Sequence, residues 1–226
     1  MFIGRKEELN SLHEMFETDK FECAVIYGRR RVGKTTLIKE FVKGTRTIFY
    51  TATQSGEESN LERFSTSVNL ALTSQLTGGI YRDFDSAFLS VANYAKMHKE
   101  PLILVIDEFP YLAKASDGFS SVLQAAIDHY FLSLPNLTLI LSGSSMSFME
   151  KQVLSYESPL YGRRTRQYKI KPFSFYEARD FFPQMDPVDF LTIYGLTGGI
   201  PLYLSMIDEN KSLKTNILAN FFQENT

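Results

Sequence analysis

The stretch FECAVIYGRRRVGKTTLIKEF, from Phe21 to Phe41, decides how the rest of the chain is read. It opens on an apolar run, passes through the eight residues GRRRVGKT, and continues with helical spacing. Two glycines, four basic residues and a hydroxyl share that short bend. Gly28, Gly33, Lys34 and Thr35 match G-x-x-x-x-G-K-[ST] between a strand-like and a helix-like segment. The glycines let the backbone curl so that successive N–H groups point inward, and the following helix adds its positive N-terminal end. Such a bend cradles phosphates; the competing reading is a basic surface loop.

In the cradle reading Lys34 reaches the β- and γ-phosphates as a point charge, the Thr35 hydroxyl ligates Mg²⁺, and Thr36 bonds to the α-phosphate. Arg31 and Val32 lie inside the bend and count among its nucleotide contacts. For most of the arginines from Arg29 to Arg31, the side chains read as solvated surface.

The rest of the chain supplies the matching frame. Short apolar runs alternate with longer helical patterns, the signature of a parallel sheet with helices on both faces. Five runs stand out: FECAVIYG (21–28), RTIFYTAT (46–53), PLILVIDEF (101–109), LTLILSGS (137–144) and RQYKIKPF (166–173). Three are nearly continuous in apolar residues, as central strands are, whereas RQYKIKPF alternates like an edge. Leu61, Phe64, Val68, Ala71, Leu72 and Leu76 predict one crossover helix, and Val122, Leu123, Ala126, Ile127 and Tyr130 another. Beyond Phe173 the pattern changes: SFYE (Ser174 to Glu177) has the form of a capping box, and short helices follow. The expected division is an α/β core over residues 1–173 and a small helical module over 174–226.

Composition bounds the function. In 226 residues, 44% apolar and 22% charged, a disordered or collagen-like chain is excluded. A net charge of −2 gives no global pull towards nucleic acid or anionic membrane, so contact with either needs a local patch. The single cysteine, Cys23, lies in an apolar run and reads as a buried thiol of a reducing compartment. MFIGRKEEL lacks the apolar stretch of a signal peptide, and no run reaches the ~20 apolar residues of a membrane span, which predicts a cytoplasmic protein. His13, His98 and His129 have no metal-ligand spacing.

A phosphate cradle alone suits a kinase, a GTPase or an ATPase. The third run ends in Asp107 and Glu108, at the sheet edge where ligands of such folds bind. Asp107 is expected to hold the metal through water, and Glu108, pointing the other way, to orient and polarise the attacking water. A small-molecule kinase needs no such second carboxylate, and the N-K-x-D base reader of GTPases is absent. The fourth run ends in Ser142, Ser144 and Ser145. Ser142 is a candidate sensor of the γ-phosphate, or else a hydroxyl capping the helix that begins near Met146. SPLYGRRTRQYKIK (158–171) is the densest basic stretch outside the cradle. It reads either as an arginine finger, Arg163, or as a patch for a nucleic-acid backbone.

Taken together, FIGRKEEL (2–9), GRRRVGKTTL (28–37), VIDEFPYL (105–112), LSGSS (141–145), PLYGRRT (159–165) and GGIPLYL (198–204) resemble the archaeal-type P-loop ATPases of the STAND branch, close to the AAA+ proteins. The resemblance implies a three-layer P-loop NTPase sandwich with a five-stranded parallel sheet of order 5-1-4-3-2 plus a small helical lid. It implies ATP or ADP with Mg²⁺ as ligands. It places Ile3, Gly4 and Arg5 against the adenine and the Gly199 and Pro201 turn of the lid over the base and sugar. Read from their residues alone, the first segment only starts a helix and the second only breaks one. Members often continue into further regions, which leaves a C-terminal domain, a protein partner, DNA and a homo-oligomer open as partners. The function expected is an ATP-hydrolysing switch; the alternative is a nucleotide-dependent docking module with little hydrolysis of its own.

Overall fold

The three runs of near-continuous apolar sequence lie in the middle of the sheet, because only there must both faces of a strand be buried. In a computed structural model, describing residues 2–73 and 78–222, these strands are β1 (Glu22–Tyr27), β3 (Leu102–Asp107) and β4 (Leu137–Gly143), every residue of them buried. The edges are β2 (Arg46–Thr51) and β5 (Arg166–Lys169), the latter mostly exposed and shorter than the run that predicts it. All pairings are parallel, in the order β2-β3-β4-β1-β5, which is 5-1-4-3-2 read from the other edge.

Side chains alternate across each strand, so the strands feed two separate cores. On one face Ala24, Ile26, Ile103, Val105 and Ile140 pack against α1 (Lys6–Phe16) and α2 (Lys34–Phe41). On the other, Val25, Leu104, Ile106, Leu139 and Leu141 meet a larger aromatic core. That core draws on α3 (Glu57–Thr73), α4 (Phe84–Met97), α5 (Phe109–Ala115) and α6 (Phe119–Ala126), the last running into a π-helical turn over Ile127–Phe131. Both expected crossover helices are present, although Leu76 lies outside the described residues. α4 adds a second helix between β2 and β3; its N-cap Asp83 forms a capping box with Ser86. After β4 come the single turn α7 (Met146–Phe148) and a π turn over Met149–Val153.

The C-terminal segment carries α8 (Phe175–Arg179), α9 (Pro187–Thr197), α10 (Pro201–Leu204) and α11 (Leu213–Ile217). Ser174 caps α8 in the box that SFYE predicts, and Phe173, Phe182, Phe190, Ile193 and Leu204 gather into a third core. Two hydrogen bonds tie these helices to the segment that follows β5. Phe173 N–H donates to Gly199 O at 2.8 Å, and the Tyr194 hydroxyl donates to Phe173 O at 3.2 Å. No helix of the described residues is long and apolar enough to cross a membrane.

Candidate nucleotide-binding site

A cavity of about 590 Å³ opens at the C-terminal edge of the sheet, within the size range of small-ligand pockets. Its floor is the bend of the motif, with Arg31, Val32, Gly33, Lys34, Thr35 and Thr36 lining it. Ile3 and Arg5 reach it from the N-terminal segment, Glu108 from the end of β3, and Pro201 from the start of α10. Phe2, Tyr111, Phe173, Phe181 and Leu202 complete an apolar wall that motif reading did not find. Their only signal is position: Tyr111 follows Glu108 by one helical turn, and Phe173 lies between the last strand and the helix capped by Ser174.

The bend takes its shape from its backbone. Gly33 is the N-cap of α2 with φ +90°, and Arg31 is also left-handed, with φ +71°. Left-handed residues alternating with a residue of negative φ, as Val32 is between these two, turn N–H groups to a common side in the manner of an anion-binding nest. Gly28 is glycine for a different reason. A Cβ there would lie 2.2 Å from Ile170 O, where the chain leaving β5 crosses beside β1. Lys34 is buried, and its ammonium donates to Gly28 O and Arg29 O at 3.0 Å each. Burial lowers its pKa, against the opposing pull of Glu108 and Asp107.

The acidic pair divides by strand geometry. Asp107 follows Ile103 and Val105 at a period of two, so it faces α2, and its Oδ2 accepts from the Thr35 hydroxyl at 2.9 Å. Glu108 is left-handed, φ +53°, and this turn carries its side chain into the cavity at the N-cap of α5. There its Oε2 accepts from Ser144 N–H at 3.2 Å and from the Ser144 hydroxyl at 2.8 Å. The serine that reaches Glu108 is thus Ser144. Ser142 is fully buried within β4, off the cavity lining, with no hydrogen-bond partner for its hydroxyl among the described residues.

Arg5, Arg31 and Glu108 are the three non-glycine residues with positive φ among those described, and all three line the cavity. Such conformations cost about 1–3 kcal/mol each and persist where surroundings over-determine them, often at functional sites. Arg5 is 5% exposed; it donates to Val32 O at 3.2 Å and to Lys171 O, and its guanidinium lies 4.3 Å over the Phe173 ring. Gly4 fits under that ring only because it lacks a Cβ, which would stand 2.5 Å from Phe173 Cε1. Gly4 and Gly199 shape the walls without lining them.

Arg163 is not brought to the cavity. Its guanidinium grips Asp128 on the π turn at 2.9 and 2.7 Å, and donates further to Pro159 O and Tyr161 O. A finger acting within its own subunit is therefore not what the fold builds from this residue. Of the neighbouring basic residues, Lys169 pairs with Glu150 at 3.1 Å and Arg164 donates to Leu154 O, while Arg166 and Lys171 are exposed.

The donor set suits a hard divalent cation held jointly with phosphates. Mg²⁺ prefers oxygen ligands and takes only one or two from protein at such sites. The Thr35 hydroxyl and the Asp107 carboxylate supply oxygens side by side, beside a nest for anions. Among the described residues no cluster of three or more His, Cys, Asp or Glu exists that would hold a metal by itself.

Comparison with known proteins agrees with this geometry. The chain is 37% identical over 207 residues to an uncharacterized protein of Methanocaldococcus jannaschii, covering 92% of this chain and 44% of that one. It thus spans less than half the length of that relative. The fold is similar to a Walker-type ATPase of Pyrococcus abyssi (TM-score 0.74, 21% identity, 97% of this chain and 71% of that chain). It is also similar to a STAND protein with a tetratricopeptide repeat sensor from Pyrococcus horikoshii (TM-score 0.58, 21% identity, all of this chain and 33% of that chain). A family model for an ATPase domain predominantly from Archaea matches residues 2–207, and the chain belongs to that family of ATPase domains.

Proposed function

We propose that the protein is a Mg²⁺-dependent ATPase that works as a switch, its C-terminal helices (174–226) acting as a lid on the nucleotide. The observation that carries the reading is the contact between Thr35 and Asp107 at the mouth of an anion nest, with Glu108 beside it. The amides of the bend and the Lys34 ammonium hold the β- and γ-phosphates, and Thr36 reaches the α-phosphate. Thr35 directly and Asp107 through water would hold Mg²⁺, which would supply charge neutralisation for the phosphoryl group. Glu108 orients a water and takes its proton, held in place by Ser144. Ile3, Arg5 and the apolar wall around Phe173 and Pro201 enclose the base and sugar. An exclusively docking role would leave the fixed orientation of Glu108 without a purpose.

The experiment is steady-state phosphate release with magnesium, together with calorimetric titration of ATP and ADP. Turnover that disappears in Lys34→Ala supports the reading. The absence of binding heat with either nucleotide would overturn it.

A further inference from the structure

The Arg31 side chain leaves the phosphate loop and ends on the C-terminal helices. Its Nη1 donates to the Tyr203 hydroxyl at 2.7 Å, and its guanidinium lies 5.6 Å from the Tyr203 ring centroid. Tyr203 belongs to α10, two residues after Pro201, which lines the cavity. The loop and this helix also approach one another at Gly33, where a Cβ would sit 3.7 Å from Pro201 Cγ. Arg30, one residue earlier, donates to the Tyr111 hydroxyl on α5, the opposite wall. The loop therefore braces both sides of the cavity with consecutive arginines, each ending on a tyrosine.

The backbone at Arg31 gives this arrangement meaning. Its φ of +71° is a conformation that arginine rarely adopts, and the same turn helps to aim the loop amides inward. The shape of the phosphate nest and the direction of the Arg31 side chain are thus set by one residue. We propose that Arg31 is a positioning residue that couples the nucleotide in the loop to the C-terminal helices through Tyr203, so that release of nucleotide requires this contact to break. The inference rests on the nucleotide-binding reading above and adds to it the route by which the lid is held. A cation reaching from the loop to the lid serves where no lid arginine lines the cavity among the described residues.

The test is the release rate of a fluorescent ADP analogue from the 226-residue chain, chased with unlabelled ADP. Tyr203→Phe removes one hydroxyl and keeps the ring, and it should speed release about fivefold, the scale of one ordinary net hydrogen bond, since the contact is exposed to water. Arg31→Ala should do at least as much, and the double variant should release no faster than Arg31→Ala alone. Arg31→Lys should rescue only part, since it keeps the charge without the planar fork. KM for ATP should rise in Tyr203→Phe while kcat is not lowered, a split that general destabilisation does not produce. Unchanged release in Tyr203→Phe, or effects that multiply in the double variant, would overturn the coupling. Should the wild-type chain bind no analogue, the nucleotide reading falls, and hydrogen exchange over residues 199–206 decides the contact itself. Faster exchange in Tyr203→Phe supports the tie, and equal exchange refutes it.

Discussion

The Thr35 hydroxyl donates to Asp107 Oδ2 at 2.9 Å, joining the first turn of α2, at the floor of the cavity, to the end of β3. The contact aligns two oxygens for one cation, so their loss should be felt only when the metal is present. In Asp107→Asn, ATP affinity with magnesium should fall about tenfold or more, while affinity in EDTA stays near the wild-type value. Calorimetry in the two buffers measures both. Equal losses in both would show that Asp107 shapes the loop and does not hold the metal.

Glu108 is held by two hydrogen bonds from Ser144. Glu108→Gln should bind ATP and lose about 10²- to 10⁴-fold in turnover, the usual scale of general-base catalysis. Ser144→Ala should lower turnover by a smaller factor, about tenfold, because the carboxylate remains but its orientation relaxes. Single-turnover phosphate release separates these from binding. Wild-type turnover in Glu108→Gln would remove that residue from the chemistry.

The lowered pKa of Lys34, caused first by burial, has a definite sign. The charged form holds the polyphosphate, and its population falls as pH rises through the depressed value. ATP affinity should therefore weaken at a lower pH than an ordinary lysine would allow. In Lys34→Arg the guanidinium stays charged throughout, and this decline should flatten. Parallel curves for the two proteins would assign the pH dependence elsewhere.

At Gly28 a methyl group would meet a backbone oxygen at 2.2 Å and could not be accommodated by rotating a side chain. Gly28→Ala should cost about 3 kcal/mol, with Tm lower by about 6–12 °C in a chain of this size. Thermal unfolding without nucleotide reads this directly. A smaller shift would mean that the segment after β5 moves aside.

Asp128 titrates below the usual carboxylate range because Arg163 donates to it. That stabilisation is present at neutral pH and is lost as pH falls through the depressed value. Arg163→Ala should cost about 1 kcal/mol at pH 7. The gap from wild type should close in acid, which denaturant titrations at the two pH values would reveal.

Much of the sheet was legible because its signals are local. Burial on both faces requires continuous apolar runs, and β1, β3 and β4 carry them; the alternation of RQYKIKPF marked an edge, although the strand stops at Lys169 and Ile170 continues only as a single pairing to Tyr27 O. The bend from Gly28 to Thr35 and the capping box at Ser174 were likewise readable, since each is a short pattern whose chemistry depends on neighbours in the chain. α4 gave no motif and emerged only as the element that covers the aromatic core.

What the chain alone determined is the list of chemical groups and the strand or helix on which each sits. Which groups meet was decided by packing across long separations. Ser144 was one of three neighbouring serines until the left-handed turn at Glu108 aimed a carboxylate at it. Arg163 resembled a finger until the π turn placed Asp128 beside it, and Arg31, counted from the sequence among the nucleotide contacts, also reaches Tyr203 on α10. A motif records spacing along the backbone, whereas a hydrogen bond between residues 172 positions apart depends on how the sheet and helices close upon one another.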